Sequence, residues 1–158
     1  MGSVTTTAAI VVTRTISHIA DGASFRTTFI LLNAGNVAAN FTLDSWTETG
    51  GPLMLDLGAD GVTAVLQGVI PPNGSRFIRT AGTTAALNKG WAELTANTDV
   101  DGNSIFGLQT PGQGDSEAAV PLSGITEGFH NKMELINRQA YGFRNFENYR
   151  LRVKVLCG

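Results

Sequence analysis

Apolar and polar residues alternate along the first four-fifths of this chain in short runs, broken by glycine, asparagine, aspartate and proline. Phe25–Asn33 ends in a nearly continuous apolar stretch, Phe29-Ile30-Leu31-Leu32, as a strand at the centre of two layers would. Ala38–Trp46 sets Phe41 and Leu43 against Thr42 and Asp44, the period of a half-buried strand. Leu53, Leu55 and Leu57 repeat that period, and Val62–Ile70 follows the turn Gly58-Ala59-Asp60-Gly61. The stretch from Val69 to Thr80 reads strand–turn–strand around Pro71-Pro72-Asn73-Gly74. Proline presets φ there, and Asn and Gly accept positive φ at little cost. Gly90–Asn97, Asn103–Gln109 and Glu117–Leu122 complete the series. At the other end, Ala9–Thr15 is a first strand or a leader, and Ile16–Ala20 stops at the turn dipeptide Asp21-Gly22.

About eight short strands at spacings of about 8–12 residues, with no βαβ rhythm, predict an all-β antiparallel sandwich. Its expected core is Trp91, Phe29, Leu31, Phe41, Leu43, Phe77, Leu94 and Phe106. Trp91, one of two tryptophans, is the expected anchor, so Trp91→Ala should unfold or severely destabilise the domain. The pattern changes at Gly124. Phe129, Met133, Ile136 and Ala140 fall on one face of a helix that Thr126 caps and Gly142 ends. Beyond Asn145 two readings stay open. Phe146, Tyr149, Val153 and Leu156 suit a helix, whereas Tyr149, Leu151, Val153 and Val155 alternate with Arg150, Arg152 and Lys154 as in a strand. The expected division is a leader or first edge strand over 1–15, a sandwich over 16–123 and a helical or helix-plus-strand tail over 124–158.

Composition sharpens this division. Of 158 residues 42% are hydrophobic and 15% charged, which supports a core and argues against disorder. Residues 1–121 carry five basic and ten acidic side chains, net −5, and residues 122–158 carry six and three, net +3. Two pieces of different origin would leave such a split. Cys157 alone allows no internal disulfide. No apolar run reaches the ~20 residues of a membrane span. Met1–Thr7 lacks the features of a signal peptide, which gives a cytoplasmic expectation for the chain as written.

Two resemblances bear on this. The segments His18-Ile19-Ala20-Asp21-Gly22, Thr27-Thr28-Phe29-Ile30-Leu31-Leu32-Asn33, Ile70-Pro71-Pro72-Asn73-Gly74-Ser75, Gly90-Trp91-Ala92-Glu93-Leu94 and Asp115-Ser116-Glu117-Ala118-Ala119-Val120-Pro121 resemble a family of sandwich modules. That family occurs in predicted secreted or surface proteins of soil bacteria. The resemblance spans about residues 16–122 and implies immunoglobulin-like topology without a chemistry. Residues 125–158 resemble the C-terminal end of a DDE-type insertion-sequence transposase. Ile125-Thr126-Glu127-Gly128-Phe129-His130-Asn131-Lys132 and Ala140-Tyr141-Gly142-Phe143-Arg144-Asn145-Phe146-Glu147-Asn148-Tyr149-Arg150-Leu151-Arg152 carry it. By that resemblance Glu127 corresponds to the third carboxylate of a metal-binding triad, and His130 stands where Asn is usual. The two aspartates and the rest of the nuclease core are missing, so an active transposase is excluded.

Candidate chemistry is sparse. Asp99-Val100-Asp101-Gly102-Asn103 offers oxygen donors around a glycine turn, the ligand type Ca²⁺ takes, with Asp99, Asp101 and Asn103 as ligands and Asp56 and Asp60 as helpers. Asp-Gly turns also occur for conformational reasons alone. His18 and Asp21 could pair as general base and orienting carboxylate, and Asp115-Ser116-Glu117 sets a hydroxyl among acids. A strand histidine is more often simply packed. Zinc lacks closely spaced His and Cys ligands. Trp46, beside Thr47-Glu48-Thr49, could stack on a sugar, though tryptophan is usually well buried. The tail's arginines with Tyr141, Phe143, Phe146 and Tyr149 could hold nucleic acid, but the chain's net charge of −2 argues against it.

The leading expectation is a non-catalytic structural, adhesive or binding module with a vestigial transposase tail. Its alternative is a Ca²⁺-assisted hydrolase of an ester or lactone. Weak nucleic-acid binding comes third. The partners to expect are a carbohydrate or small ester, or a second copy held through the tail.

Overall fold

The computed structural model describes residues 10–124, and within them the chain forms two antiparallel four-stranded sheets packed face to face. Ten strands occur among the described residues. They are β1 (Val12–Asp21), β2 (Phe25–Asn33), β3 (Ala39–Thr47), β4 (Leu55–Asp56), β5 (Val62–Thr63), β6 (Val65–Ile70), β7 (Gly74–Arg79), β8 (Asn88–Ala96), β9 (Asp101–Leu108) and β10 (Ser116–Pro121). One sheet has the order β1-β8-β3-β6 and the other β10-β9-β2-β7; β4 and β5 form a separate short ribbon. The expected sandwich is therefore present, with ten strands instead of seven or eight. The readings made for residues 125–158, helical or extended, lie outside the described residues.

Four boundaries differ from the sequence expectation, each for a physical reason. The two N-terminal segments are one strand, because a register shift between Ile16 and Ile19 lets β1 stay paired with β8 from Val12 to Asp21. The leucine run Leu53–Leu57 contributes only Leu55–Asp56 as strand, although all three leucines are buried. Val62–Ile70 is split in two at Ala64. The Ser45 N–H still donates to the Ala64 carbonyl in the β3–β6 register, but the Ser45 carbonyl accepts from the Leu53 N–H, and Val62–Thr63 pair with Leu55–Asp56 instead. The Pro71–Gly74 turn does not close a hairpin. It carries the chain from β6 in one sheet to β7 in the other. Asn73 takes φ 53 there, and the Gly74 N–H donates to the Pro71 carbonyl at 3.0 Å.

The core lies between the sheets and follows the alternation. Phe29, Leu31, Phe41, Leu43 and Leu94 are each at most 3% exposed, and Phe106 is also buried, as expected. Burying a large apolar side chain contributes roughly 1.5–3 kcal/mol, so these residues dominate the fold's energetics. Two expected core residues are not there. Phe77 is 64% exposed, because its neighbour Ile78 takes the inward position of β7. Trp91 is 37% exposed, because Gly90, Ala92, Leu94 and Ala96 fill the inward positions of β8 and leave Trp91, Glu93 and Thr95 pointing out.

Buried polar groups tie the two sheets at their ends. The Thr27 hydroxyl donates to the Ala20 carbonyl at 2.8 Å and accepts from the Ala20 N–H at 3.0 Å, joining β2 to β1 across the sandwich. Leaving such groups unpaired would cost about 1–3 kcal/mol each. Past β10, the Leu122 N–H reaches the Gly102 carbonyl, and Ser123 exchanges both backbone hydrogen bonds with Thr15. The chain thus crosses from one sheet to the other between Pro121 and Ser123.

Candidate functional site

The outer face of β3 and β8 gathers an organised set of outward-facing, mostly half-buried side chains. The two strands are antiparallel neighbours in the middle of their sheet, and their pairing puts like opposite like. Trp46 faces Trp91, Asp44 faces Glu93 and Thr42 faces Thr95. One step further Asn40 and Asn97 meet, with the Asn97 side-chain carbonyl accepting from the Asn40 N–H at 2.8 Å. Because side chains of one strand face share a period of two, all four pairs lie on the same surface. From Trp46 to Asn40 the face runs roughly 20 Å at the usual strand rise.

The aromatic end is built by close backbone approach. The tryptophan rings stack at 26° with centroids 6.3 Å apart. Trp46 is half-buried, and Pro52 bridges to it from the following turn. Gly90, next to Trp91, lies so near β3 that an added Cβ would sit 1.9 Å from the Trp46 carbonyl oxygen. Beside the rings Lys89 and Glu48 form an ion pair at 3.4 Å. Asp44 and Glu93 have no cationic partner within 4.0 Å among the described residues. Like charges directly opposite one another weaken a sheet, so this row stabilises nothing by itself.

At the far end the face opens into a shallow trough of about 570 Å³, lined by Asn40, Thr42, Gln67, Val69, Thr95 and Asn97 among others. The opposite sheet offers less. A cleft of about 50 Å³ there lies between Arg26, Thr28 and Arg79 on one side and Asp115 and Glu117 on the other. Arg26 donates to the Ala81 carbonyl and Arg79 to the Thr28 hydroxyl through their Nε–H groups.

The exposed position of Trp91 predicts a mild stability change on truncation, in place of the unfolding or severe destabilisation expected from the sequence. Trp91→Ala should cost about 1 kcal/mol, the range of an aromatic pair at a sheet surface. A shift of that size in the urea midpoint, with an unchanged far-ultraviolet circular dichroism spectrum, checks it.

The residues singled out from the sequence lie elsewhere. His18 is buried at 7% exposure and packs edge-on against Phe106, ring centroids 5.0 Å apart. Asp21 is 2% exposed and accepts the Gly82 N–H at 2.9 Å. That bond ties β1 to the loop before β8. In the aspartate turn, Asp99 pairs with Arg14 at 2.8 Å, and Asp101 accepts from the N–H of Gly102 at 2.8 Å. Val100 between them is buried at 1%, and Asn103 lies in β9 between Ile30 and Pro121. Asp56 accepts from Gly58 at 3.0 Å, and Asp60 pairs with Arg76. Among the described residues no three His, Cys, Asp or Glu side chains converge as a metal site. Glu127 and His130 lie outside the described residues.

From the sequence, Trp46 stands out singly as a stacking candidate, while Trp91 reads as a core residue. The usable signal was the alternation Gly90-Trp91-Ala92-Glu93-Leu94. Glu93 must face water, and a period of two then sends Trp91 to the same side.

Comparison with known proteins separates the two ends of the chain. Residues 120–153 match a family model of DDE-type ISL3 transposases, described as Transposase. That match begins within β10, ahead of the Ile125 where the sequence resemblance starts, so its first residues belong to the sandwich. No curated protein matches the chain. Among solved structures, the crystal structure of Thermotoga maritima 1070 matches with a TM-score of 0.51 at 13% identity, over 70% of this chain and 90% of that one. At that identity the likeness speaks to the fold alone. The chain is therefore similar to a known β fold over most of its length and to transposases over a short C-terminal stretch.

Proposed function

We propose that the sandwich is a non-catalytic binding module whose ligand is a carbohydrate, held on the outer face of β3 and β8. The observation that carries this reading is the stacked Trp46–Trp91 pair at the surface. Tryptophan offers a large rigid apolar area with a polar edge, which suits the face of a sugar ring at low entropic cost. The threonine and asparagine pairs beyond it supply hydroxyl and amide groups for hydrogen bonding. A face roughly 20 Å long suits several linked sugars better than one. Surface or adhesive proteins are a natural setting for such a module, in keeping with the soil-bacterial resemblance and its immunoglobulin-like topology.

Residues 120–153 enter this reading as a remnant of a transposase sequence joined to the sandwich, with its first residues absorbed into β10. Weak nucleic-acid binding by that stretch is the second reading, favoured by the same match. Salt-sensitive retardation of DNA, lost on deleting 125–158, would establish it. The Ca²⁺-dependent hydrolase has no comparable support, since Asp99 and Asp101 are engaged with Arg14 and Gly102.

Affinity electrophoresis through gels containing neutral polysaccharides tests the main proposal. The full chain should be retarded by at least one of them. Trp46→Ala and Trp91→Ala should each lose roughly 30-fold or more in affinity, as for truncated aromatic hot spots. Retardation unchanged in both variants would leave the pair as sheet reinforcement only.

A further inference from the structure

Resting on the carbohydrate reading, we propose that the ligand is a cationic amino sugar, whose ammonium groups meet Asp44 and Glu93 while its rings lie on Trp46 and Trp91. Asp44 and Glu93 form an arrangement that costs the fold stability. In a sheet, directly opposed side chains normally attract, and two opposed acids repel. Asp44 and Glu93 are opposed on the two central strands, both half-buried. The nearest residues across the flanking strands are Thr15 opposite Glu93 and Val65 opposite Asp44, neither of them cationic. The lysine that the same face does carry, Lys89, is engaged with Glu48 on the far side of the rings.

The acids are also placed where a cation gains twice. They occupy the outward position two residues from each tryptophan, on both strands. An ammonium group bound there would sit between two carboxylates and beside two indoles. Carboxylates offer charge-assisted hydrogen bonds, and indole faces attract cations. A neutral sugar would use the rings and leave the acids facing water. A sugar carrying an amine at each ring would use both rows. Lysine-rich peptide could also answer the charge, but the long flat face with threonine and asparagine pairs favours a polyhydroxylated chain.

Isothermal titration of the full chain with glucosamine hexamer, N-acetylglucosamine hexamer, cellohexaose and polylysine tests the proposal, alongside the doubly substituted Asp44→Asn/Glu93→Gln chain. The glucosamine hexamer should bind about tenfold or more tighter than either neutral hexamer, the range for charge-assisted contacts. That preference should shrink as salt is raised. In the double variant the preference should vanish while binding of the neutral hexamers is retained. Equal binding of charged and neutral hexamers overturns the amino-sugar assignment and leaves the carbohydrate reading standing. A preference that survives in the double variant overturns it too, as does polylysine binding at least as tightly as glucosamine hexamer. Absence of binding to every hexamer overturns both readings.

Discussion

Replacing Asn33 by aspartate is expected to leave the sandwich unfolded at neutral pH. Asn33 is fully buried at the end of β2, and its amide is saturated with backbone partners. The Nδ2 group donates to the carbonyls of Val37 at 2.8 Å, Pro71 at 3.1 Å and Ile70 at 3.2 Å, one of its two hydrogens being shared. The Oδ1 atom accepts from the Gly35 N–H at 3.0 Å. One side chain thus fastens the β2–β3 turn to the prolines that carry the chain from sheet to sheet. Aspartate has the same shape but brings an acceptor to three carbonyl oxygens. A buried charge without a partner is worth several kcal/mol against folding, comparable to the whole stability of a domain this size.

The sign of the pH response separates this cause from simple loss of packing. Among carbonyls, the introduced carboxyl holds its proton more tightly folded than unfolded. Its folded-state pKa is therefore raised, so the folded chain binds more protons and stability falls as pH rises through that value. Acidification should recover part of the fold, relative to the parent chain under the same conditions. Asn33→Leu, which carries no proton, should lose about 4 kcal/mol or more from the orphaned backbone groups with no such recovery. Urea unfolding at acidic and neutral pH reads both. Equal losses for the two variants at every pH would refute the buried-charge cause, and a loss below about 1 kcal/mol for Asn33→Leu would refute the amide clamp.

Nothing in the sequence singles out Asn33 as a clamp, because Asn33-Ala34-Gly35-Asn36 reads equally well as an ordinary turn. Its partners at Ile70 and Pro71 are brought in by the crossing between sheets, a non-local event. The strands themselves were legible, since Phe41 against Thr42 and Leu43 against Asp44 leave one choice of inward face. Ambiguity arose where two neighbours could both be buried. In Arg76-Phe77-Ile78-Arg79 either hydrophobe can point in, and the larger one ended outside. Size also misled at Trp91, where the small residues on either side were the better guide. The Trp46–Trp91 and Asp44–Glu93 rows depend on register, and register between strands 45 residues apart is set by the whole sheet rather than by either strand.

That register has one point of tightest tolerance, and Gly90→Ala is expected to destroy it. The added Cβ would lie 1.9 Å from the Trp46 carbonyl oxygen and 2.9 Å from Cδ2 of Leu53. Leucine can change rotamer, but a backbone carbonyl in the middle of a sheet cannot turn away. β3 and β8 would have to separate by about 1 Å or more around Thr47↔Gly90, the pairing next to the two tryptophans. Overpacking a core ordinarily costs about 1–3 kcal/mol, and a clash with rigid backbone belongs at or above the top of that range. Gly114→Ala is the control, since nothing lies within 4 Å of that position. It should change stability by less than about 0.5 kcal/mol. In urea, the midpoint for Gly90→Ala should fall steeply while that for Gly114→Ala stays put. Whatever folded Gly90→Ala protein remains should also show altered near-ultraviolet dichroism and weakened sugar binding, because the stacked rings depend on that contact. A Gly90→Ala chain with the parent midpoint and an unchanged tryptophan signal would mean that β8 does not approach β3 this closely, and the paired face built on that approach would have to be abandoned.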